Sequence, residues 1–410
     1  MKKFSSLFQN KVCIRLLYAT SLAFFIFAAS CQQAGPTTLV PATPTPQPSV
    51  TVVSPPVIRT SEVAIDFAEP LQMERQQDIS FAKQGLAITA GHTSAQFISK
   101  PLAVTLEKPA PFLALSAKWA SVITKDAKLT ISLRASTDQQ QWSEWQRSSL
   151  DGDPRTQAGL FFFPPDSKFV QYQIEAECDA TQHSPLIQSL KLRFISPGAT
   201  LPSALSQLNS DTFLHRAQWD CPDTKFPVKQ QKARVQHLIV HHTATANDVQ
   251  DWPAVVRTIW NFHAFTNGWR DLGYHYLIDP NGVVYQGHVG GDQAAGMHFS
   301  CANTGTMGIA MLGNFTSQAP TEKALKSLKD LLAQKARELR LDPTAVSYHP
   351  STGLNLPEIA GHRDANASKV ARVCAGTHCP GDALYALLPA IRAEVKAQLS
   401  RPDSLVRSFH

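Results

Sequence analysis

The chain has 410 residues, of which 43% are apolar, so it is long enough for two or three domains with their own cores. Its formal net charge is +6, and four of the positive charges lie among the first fifteen residues, at Lys2, Lys3, Lys11 and Arg15. Without that segment the charge is about +2, which argues against the concentrated basic face of a nucleic-acid-binding protein. We therefore expect no nucleic-acid partner.

Residues 1–30 have the organisation of a signal peptide. The positive start is followed by an apolar run over residues 16–29, which is too short for a comfortable membrane span. Small residues then precede Cys31, an arrangement that resembles a bacterial lipoprotein cleavage site with Cys31 as the lipidated residue. The alternative is a plain secretory signal. Both interpretations predict an extracytoplasmic protein, and the first predicts a lipid anchor that holds it at the membrane of the cell envelope.

Two segments follow before the chain changes character. Residues 31–60 form a Pro/Thr-rich linker, whose composition favours extended geometry. Residues 61–198 alternate apolar and polar side chains with a period of two, most clearly at 112–119, 129–134, 169–174 and 190–194. This pattern predicts an all-β sandwich, similar to the jelly-roll accessory domains beside some bacterial wall hydrolases.

The sequence indicates the fold of the β domain more clearly than its function. Trp119, Trp142 and Trp145 either stack on sugar rings or, as we favour, pack within and between strands. We expect wall carbohydrate or a protein as its partner. A surface adhesin with this domain as the working part is an alternative, but no sequence feature supports it.

The remainder of the chain is predicted to be a short linker at 199–214, a mixed α/β domain at 215–400 with a central sheet flanked by helices, and a tail at 401–410. Asp251 and Thr321 are typical helix caps. The chain is therefore predicted to be multidomain. The predicted strands are 235–241, 274–278, 283–285 and 307–312, and the predicted helices are 253–265, 324–341 and one that begins near Asp382.

Histidines crowd into the last domain, which indicates a metal site. Imidazole and thiolate are the ligands that zinc prefers, and three protein ligands leave a fourth position for a water that becomes a nucleophile near neutral pH. Each histidine taken alone is more often a core or surface residue, so the crowding carries the prediction. These histidines are His237, His241, His242, His263, His275, His288, His298, His349, His362 and His378.

Several motifs in this domain occur in a fixed order. They are Arg-Ala-Gln-Trp at 216–219, His-His-Thr-Ala at 241–244, Gly-Trp-Arg-Asp-Leu-Gly-Tyr-His-Tyr at 268–276, Asn-Thr-Gly-Thr-Met-Gly at 303–308, Gly-His-Arg-Asp at 361–364 and Cys-Pro-Gly at 379–381. Together they resemble the peptidoglycan recognition proteins and the related phage-lysozyme-type amidases, over residues 215–395. The resemblance implies a zinc-dependent hydrolase that cuts peptidoglycan between N-acetylmuramic acid and L-alanine.

The metal ligands that the resemblance implies are His241, His362 and Cys379, with Zn²⁺ as the cofactor. His362 and Cys379 are seventeen positions apart, about twice the separation in compact family members. The longer loop contains Cys374, an alternative ligand. We favour Cys379 because Pro-Gly and a helix follow it, as in the family. The other cysteines, Cys178, Cys221, Cys301 and Cys374, allow three disulfide pairings, and the sequence does not choose among them.

The resemblance also implies the residues that act on the substrate. Tyr274 is the catalytic tyrosine, which can hydrogen-bond the scissile carbonyl or help to move protons. Thr377, two residues before the ligand cysteine, is expected to hold the water or the substrate oxygen. The expected substrate-binding residues, which would contact the muramyl peptide, are His242, Trp269, His275, His298 and Asn303.

Two alternative functions remain open at this point. Some family members bind muramyl peptides without cutting them, so a non-catalytic recognition protein is the first alternative. A cysteine hydrolase with a Cys379–His362 pair is the second. The presence of three ligands and a separate tyrosine favours the zinc amidase.

Overall fold

The computed structural model describes residues 57–68, 71, 73–124, 126–147, 158–221, 232–300, 302–370, 376–401 and 409, which belong to one compact unit, Ser54–His410. The predicted signal peptide, Cys31, most of the Pro/Thr-rich linker, Cys301, Cys374 and most of the tail lie outside these residues. Within the described residues, no helix is both long enough and apolar enough to cross a bilayer.

Two antiparallel sheets occupy the first part of the described chain. In one sheet the order is β10-β7-β12-β4-β3 with β1 also paired to β12, and in the other it is β2-β5-β11-β8-β9 with β6 also paired to β11. The strands are β1 (Arg59–Asp66), β2 (Met73–Gln77), β3 (Ile79–Ala82), β4 (Gly85–Ile88), β5 (Ser94–Ser99), β6 (Leu102–Ala103), β7 (Leu113–Val122), β8 (Lys128–Ser136), β9 (Gln146–Arg147), β10 (Ala158–Phe163), β11 (Phe169–Glu177) and β12 (Leu186–Ser196).

The two sheets share one hydrophobic core. Leu115 and Leu192 of the first sheet pack in the same cluster as Leu133 and Ile174 of the second. Residues at alternate positions, such as Leu190, Leu192 and Phe194 of β12, are buried together, because successive side chains point to opposite faces of a sheet. Paired sheets around a common core are the layout expected of a β-sandwich, and the jelly-roll-like topology stays a prediction.

The tryptophans of the β domain make packing contacts. Trp119 packs against the shared core. The guanidinium carbon of Arg134 lies 4.8 Å from the ring centre of Trp142 and 4.5 Å from that of Trp145. This arrangement agrees with the packing interpretation that the sequence favours.

The second part of the chain is a mixed α/β domain, as predicted. Its sheet has the order β13-β16-β15-β17-β14-β20, with antiparallel pairing between β15 and β16 and parallel pairing at the other steps. The strands are β13 (Phe213–Leu214), β14 (His237–His242), β15 (Tyr276–Ile278), β16 (Val284–Gln286), β17 (Thr306–Met311) and β20 (Ile359–Gly361), and a separate hairpin pairs β18 (Val346–His349) with β19 (Leu354–Pro357).

Helices lie against this sheet in two hydrophobic clusters. One cluster contains residues of α3 (Glu322–Leu339) and α4 (Asp382–Leu399), and the other contains residues of α2 (Trp252–Asn261). Helix α2 continues as a π-helical turn, Phe262–Thr266, so the helical segment ends close to the predicted position. The predicted caps are present: Asp251 Oδ1 accepts from Ala254 N at 3.0 Å, and Thr321 Oγ1 accepts from Ala324 N at 3.1 Å.

The predicted linker at 199–214 contains regular secondary structure. It contains the short helix α1 (Pro202–Leu205), and Phe213–Leu214 at its end form β13 of the second sheet. Buried residues of the first sheet, such as Leu160 and Ile195, share a cluster with Val255 and Ile259 of α2. Periodicity does not reveal this contact, because it depends on the docking of a whole sheet onto a helix.

Candidate metal centre

The sheet topology brings two predicted ligands together. Strands β14 and β20 are parallel neighbours in which Val240 pairs with Gly361. The residues that follow this pair, His241 and His362, therefore lie side by side at the carboxyl end of the two strands. His241 and His242 are consecutive in β14, so their side chains point to opposite faces.

The third predicted ligand, Cys379, comes from the turn before α4. The three potential ligand atoms of His241, His362 and Cys379 lie within 4.8 Å of one another, and within the described part of the chain they form the one such group. Cys379 Sγ lies 3.6 Å from His241 Nδ1. Zinc bonds of about 2.1 Å to nitrogen and about 2.3 Å to sulfur at a tetrahedral angle separate these atoms by about 3.6 Å. The donor set and its spacing therefore fit zinc.

Burial keeps this site ready to bind a cation. His241 and Cys379 are each 1% exposed. Burial, and then the neighbouring His362 and His298, hold the pKa of His241 well below its ordinary value, so its imidazole is neutral and offers a lone pair. Cys379 Sγ accepts a hydrogen bond from His242 N at 3.4 Å, an arrangement that favours a thiolate.

Tyr274 lies beside the metal-ligand group. Its half-buried ring is 5.3 Å from the His241 ring and 5.6 Å from the ring of His263. His263 is buried, its Nδ1 accepts from Gly273 N at 3.1 Å, and burial lowers its pKa to about 3. The neutral His263 thus supports the chain next to Tyr274. The motifs do not mark His263 for this role, because it lies in the helical segment just before the motif at 268–276 that it contacts.

Thr377 is held close to the cysteine. Its Oγ1 accepts from Cys379 N at 3.1 Å. The side chain of Asn366 accepts from Thr377 N at 3.0 Å and donates to Thr377 O at 2.9 Å. Asn366 therefore fixes the position of Thr377 across the long segment between the two ligands. No motif marks Asn366, and the eleven-residue separation is not periodic, so sequence reasoning missed it.

Comparisons with known proteins identify the second part of the chain. The model of the family "N-acetylmuramoyl-L-alanine amidase" matches residues 231–382. Peptidoglycan-recognition protein SD of Drosophila simulans is 31% identical over 175 residues, which are 42% of this chain and 82% of that protein. The chain belongs to this family of peptidoglycan recognition proteins and amidases. The resemblance inferred from the motifs is thus confirmed.

Other relatives include both kinds of protein. N-acetylmuramoyl-L-alanine amidase of Sus scrofa is 30% identical over 198 residues, which are 46% of this chain, and the match spans only 29% of the pig protein. Among solved structures, the crystal structure of Drosophila peptidoglycan recognition protein SD has 30% identity, covers 43% of this chain and 92% of the solved chain, and gives a TM-score of 0.33.

Three of the residues that the family resemblance assigns to substrate binding are engaged inside the fold. His242 is 3% exposed, and its Nδ1 accepts from Phe315 N at 3.2 Å. His275 is 3% exposed, accepts from Gly308 N at 3.0 Å and donates to Ala294 O at 2.7 Å. Asn303 Oδ1 accepts from the backbone N of His298 and of Phe299, at 2.8 and 2.7 Å. These contacts organise the site, and substrate binding by the three residues stays a prediction.

The other two assigned residues contact different histidines of the site. The Trp269 ring is half-buried and lies 4.7 Å from the ring of His263, near Tyr274. His298 Nδ1 lies 3.0 Å from Nε2 of His241, so this side chain contacts a candidate ligand directly. Substrate binding by these two residues also remains a prediction.

Proposed function

We propose that the chain is a zinc-dependent N-acetylmuramoyl-L-alanine amidase, which hydrolyses the amide between N-acetylmuramic acid and the first L-alanine of the stem peptide. The observation that carries this proposal is the buried group of His241, His362 and Cys379 with the ring of Tyr274 beside it. Membership of a family that includes amidases supports the same reaction.

In this proposal the three ligands, Tyr274 and Thr377 have separate roles. His241, His362 and Cys379 would hold the ion, which supplies Lewis acidity and an activated water when it is bound. Tyr274, whose ring lies 5.3 Å from that of His241, would donate its hydroxyl to the carbonyl oxygen of the substrate as negative charge develops. Thr377, whose backbone N is bound by Asn366 and whose Oγ1 is bound by Cys379 N, would offer a second hydroxyl to the same oxygen.

The burial of Cys379 argues against a cysteine hydrolase. The side chain is 1% exposed, and its sulfur accepts from the backbone of His242. A nucleophile must reach the carbonyl carbon of a bulky polymer, and a thiol that is buried and bound to a backbone amide is poorly placed for that attack. The geometry therefore supports a ligand role for Cys379.

We further propose that the enzyme works outside the cytoplasm, where peptidoglycan lies. The positive, apolar start of the chain and the lipoprotein-like segment before Cys31 support export and a lipid anchor. The paired β-sheets would be a jelly-roll-like accessory domain whose partner is wall carbohydrate or a protein. Their packing against α2 supports a fixed orientation of this domain relative to the catalytic group.

Digestion of purified peptidoglycan by the full chain tests the proposal. New L-alanine amino termini and new reducing sugar ends are counted with and without a chelator. The Cys379→Ser variant should release nothing, and Cys178→Ser, a matched change in the β domain, should behave as the parent. We expect chelator-sensitive amino termini without reducing ends. Pelleting with the wall but no release would overturn the amidase in favour of a recognition protein.

A further inference from the structure

A chain of hydrogen bonds runs from His241 away from the metal-ligand group. His241 Nε2 lies 3.0 Å from His298 Nδ1, and His298 Nε2 lies 3.3 Å from Thr306 Oγ1. Thr306 Oγ1 also lies 2.8 Å from the carbonyl oxygen of Asn303. His241, His298 and Thr306 are 1%, 6% and 1% exposed, so these protein groups are the partners for one another.

The distances set the direction of this chain. A hydroxyl has one hydrogen, and the 2.8 Å contact has the length of an O–H···O bond, so Thr306 donates to Asn303 O. Thr306 Oγ1 must then accept from His298 Nε2, and the 3.3 Å separation suits an N–H donor. His298 Nδ1 is left without a hydrogen and accepts from His241 Nε2. The remaining nitrogen of His241, Nδ1, carries a lone pair and faces Cys379 Sγ at 3.6 Å.

The fold also fixes where the ring of His298 can lie. Two glycines border the ring: a Cβ on Gly308 would come within 2.4 Å of His298 Cγ, and one on Gly296 within 3.0 Å of His298 Cδ2. Asn303 binds the backbone N of His298 through its side-chain oxygen at 2.8 Å. The two glycines therefore limit where the His298 ring can lie, and Asn303 holds the His298 backbone. The hydrogen bond to His241 follows from this confinement.

We propose that His298 is a positioning residue that fixes the tautomer and the ring orientation of His241, with Thr306 as the acceptor that ends the chain. In this assignment His298 acts behind the ligand, whereas the family resemblance places it in the substrate groove. The proposal rests on the proposed function in one respect, which is that His241 Nδ1 is the atom that binds zinc. Groups that orient a ligand histidine typically change metal affinity by about 10- to 100-fold when they are lost.

Zinc affinity of the full chain, measured by competition with a chromophoric chelator, tests the chain of bonds. Thr306→Val keeps a side chain of similar volume but removes the hydroxyl that accepts from His298. Thr306→Ser is the matched control, because it keeps that hydroxyl. We expect Thr306→Val and His298→Leu to weaken zinc binding by about tenfold or more. Thr306→Ser should bind within about twofold of the parent. Folded Thr306→Val and His298→Leu variants with the affinity of the parent would overturn the proposal.

A second measurement needs neither a variant nor the metal. Nitrogen chemical shifts of ¹⁵N-labelled histidines in the metal-free parent protein report which ring nitrogen carries the proton. We expect His241 and His298 both to carry it on Nε2. A proton on Nδ1 of either ring would contradict the direction of the chain. If the parent protein bound no zinc while both tautomers were as expected, the proposed function would fail and the positioning contact would stand.

Discussion

Arg257 offers the sharpest test of how the β-sheets are joined to the α/β domain. It lies in α2 and is 0% exposed. Its Nε donates to Pro197 O at 2.9 Å, and its Nη2 donates to Gly198 O at 2.7 Å and to Thr200 Oγ1 at 3.0 Å. These bonds tie the segment after the last strand of the β domain to the helix, so Arg257→Met should loosen that junction.

The size of the effect follows from the acceptors that lose their partner. Pro197 O and Gly198 O receive the two shortest bonds, and an acceptor left without its partner costs about 1–3 kcal/mol when it is buried. Because Met replaces part of the aliphatic stem, we expect Arg257→Met to lower the free energy of unfolding by about 4 kcal/mol.

Urea unfolding of the full chain, followed by tryptophan fluorescence and by circular dichroism, measures this loss. Arg147→Met is the control, because the side chain of Arg147 is 74% exposed and its ion pair with Glu175 spans 3.8 Å, so it should cost less than about 0.5 kcal/mol. Limited proteolysis should also cut Arg257→Met faster within residues 199–214. A loss for Arg257→Met as small as that of Arg147→Met would refute the reasoning.

Three further predictions concern the site and its histidines. Tyr274→Phe should keep bound zinc and lower kcat by about 10²–10³-fold, since one donor to the developing oxyanion is lost; an unchanged kcat would remove its role. Cys379→Ser should lose zinc in elemental analysis, and full zinc content would exclude it as a ligand. Acidification from pH 7 to pH 5 should lower the free energy of unfolding in urea titrations, with about 4 kcal/mol of loss contributed by His263 and His275 together. The unfolded chain takes up protons below pH 6.5, whereas burial lowers the pKa of His263 to about 3 and that of His275 to about 4, so both stay neutral when folded; a flat profile would contradict this.

Local signals in the sequence predict the three long helices of the α/β domain and four of its strands, β14 to β17, but not β13, β18, β19 or β20. Thr321 predicts the start of α3 because its hydroxyl satisfies a free amide of the first turn, and this contact is present. The apolar spacing of 324–341 predicts the helix itself, which spans Glu322–Leu339. These features depend on residues a few positions apart, so the sequence carries them directly.

Local sequence signals did not predict contacts between segments that are distant along the chain. Helix α2 is buried on all sides because a sheet of the β domain covers it, so Arg257 lies in the interior where periodicity favours an exposed position. The role of His298 depends on the loop before β17 folding back onto β14. The family motifs indicated that His298 lies at the site, but only the fold shows that it contacts His241.

The central claim is that the chain hydrolyses the amide at the lactyl group of N-acetylmuramic acid with the help of zinc. The most direct test treats a defined muramyl peptide with the full chain in ¹⁸O-enriched water and examines the products by mass spectrometry. The account predicts one ¹⁸O atom in the lactyl carboxylate, a stem peptide that begins with free L-alanine, loss of both with a chelator and recovery with added zinc. Label on a sugar carbon or within the stem peptide, or release that persists after zinc is removed, would contradict it.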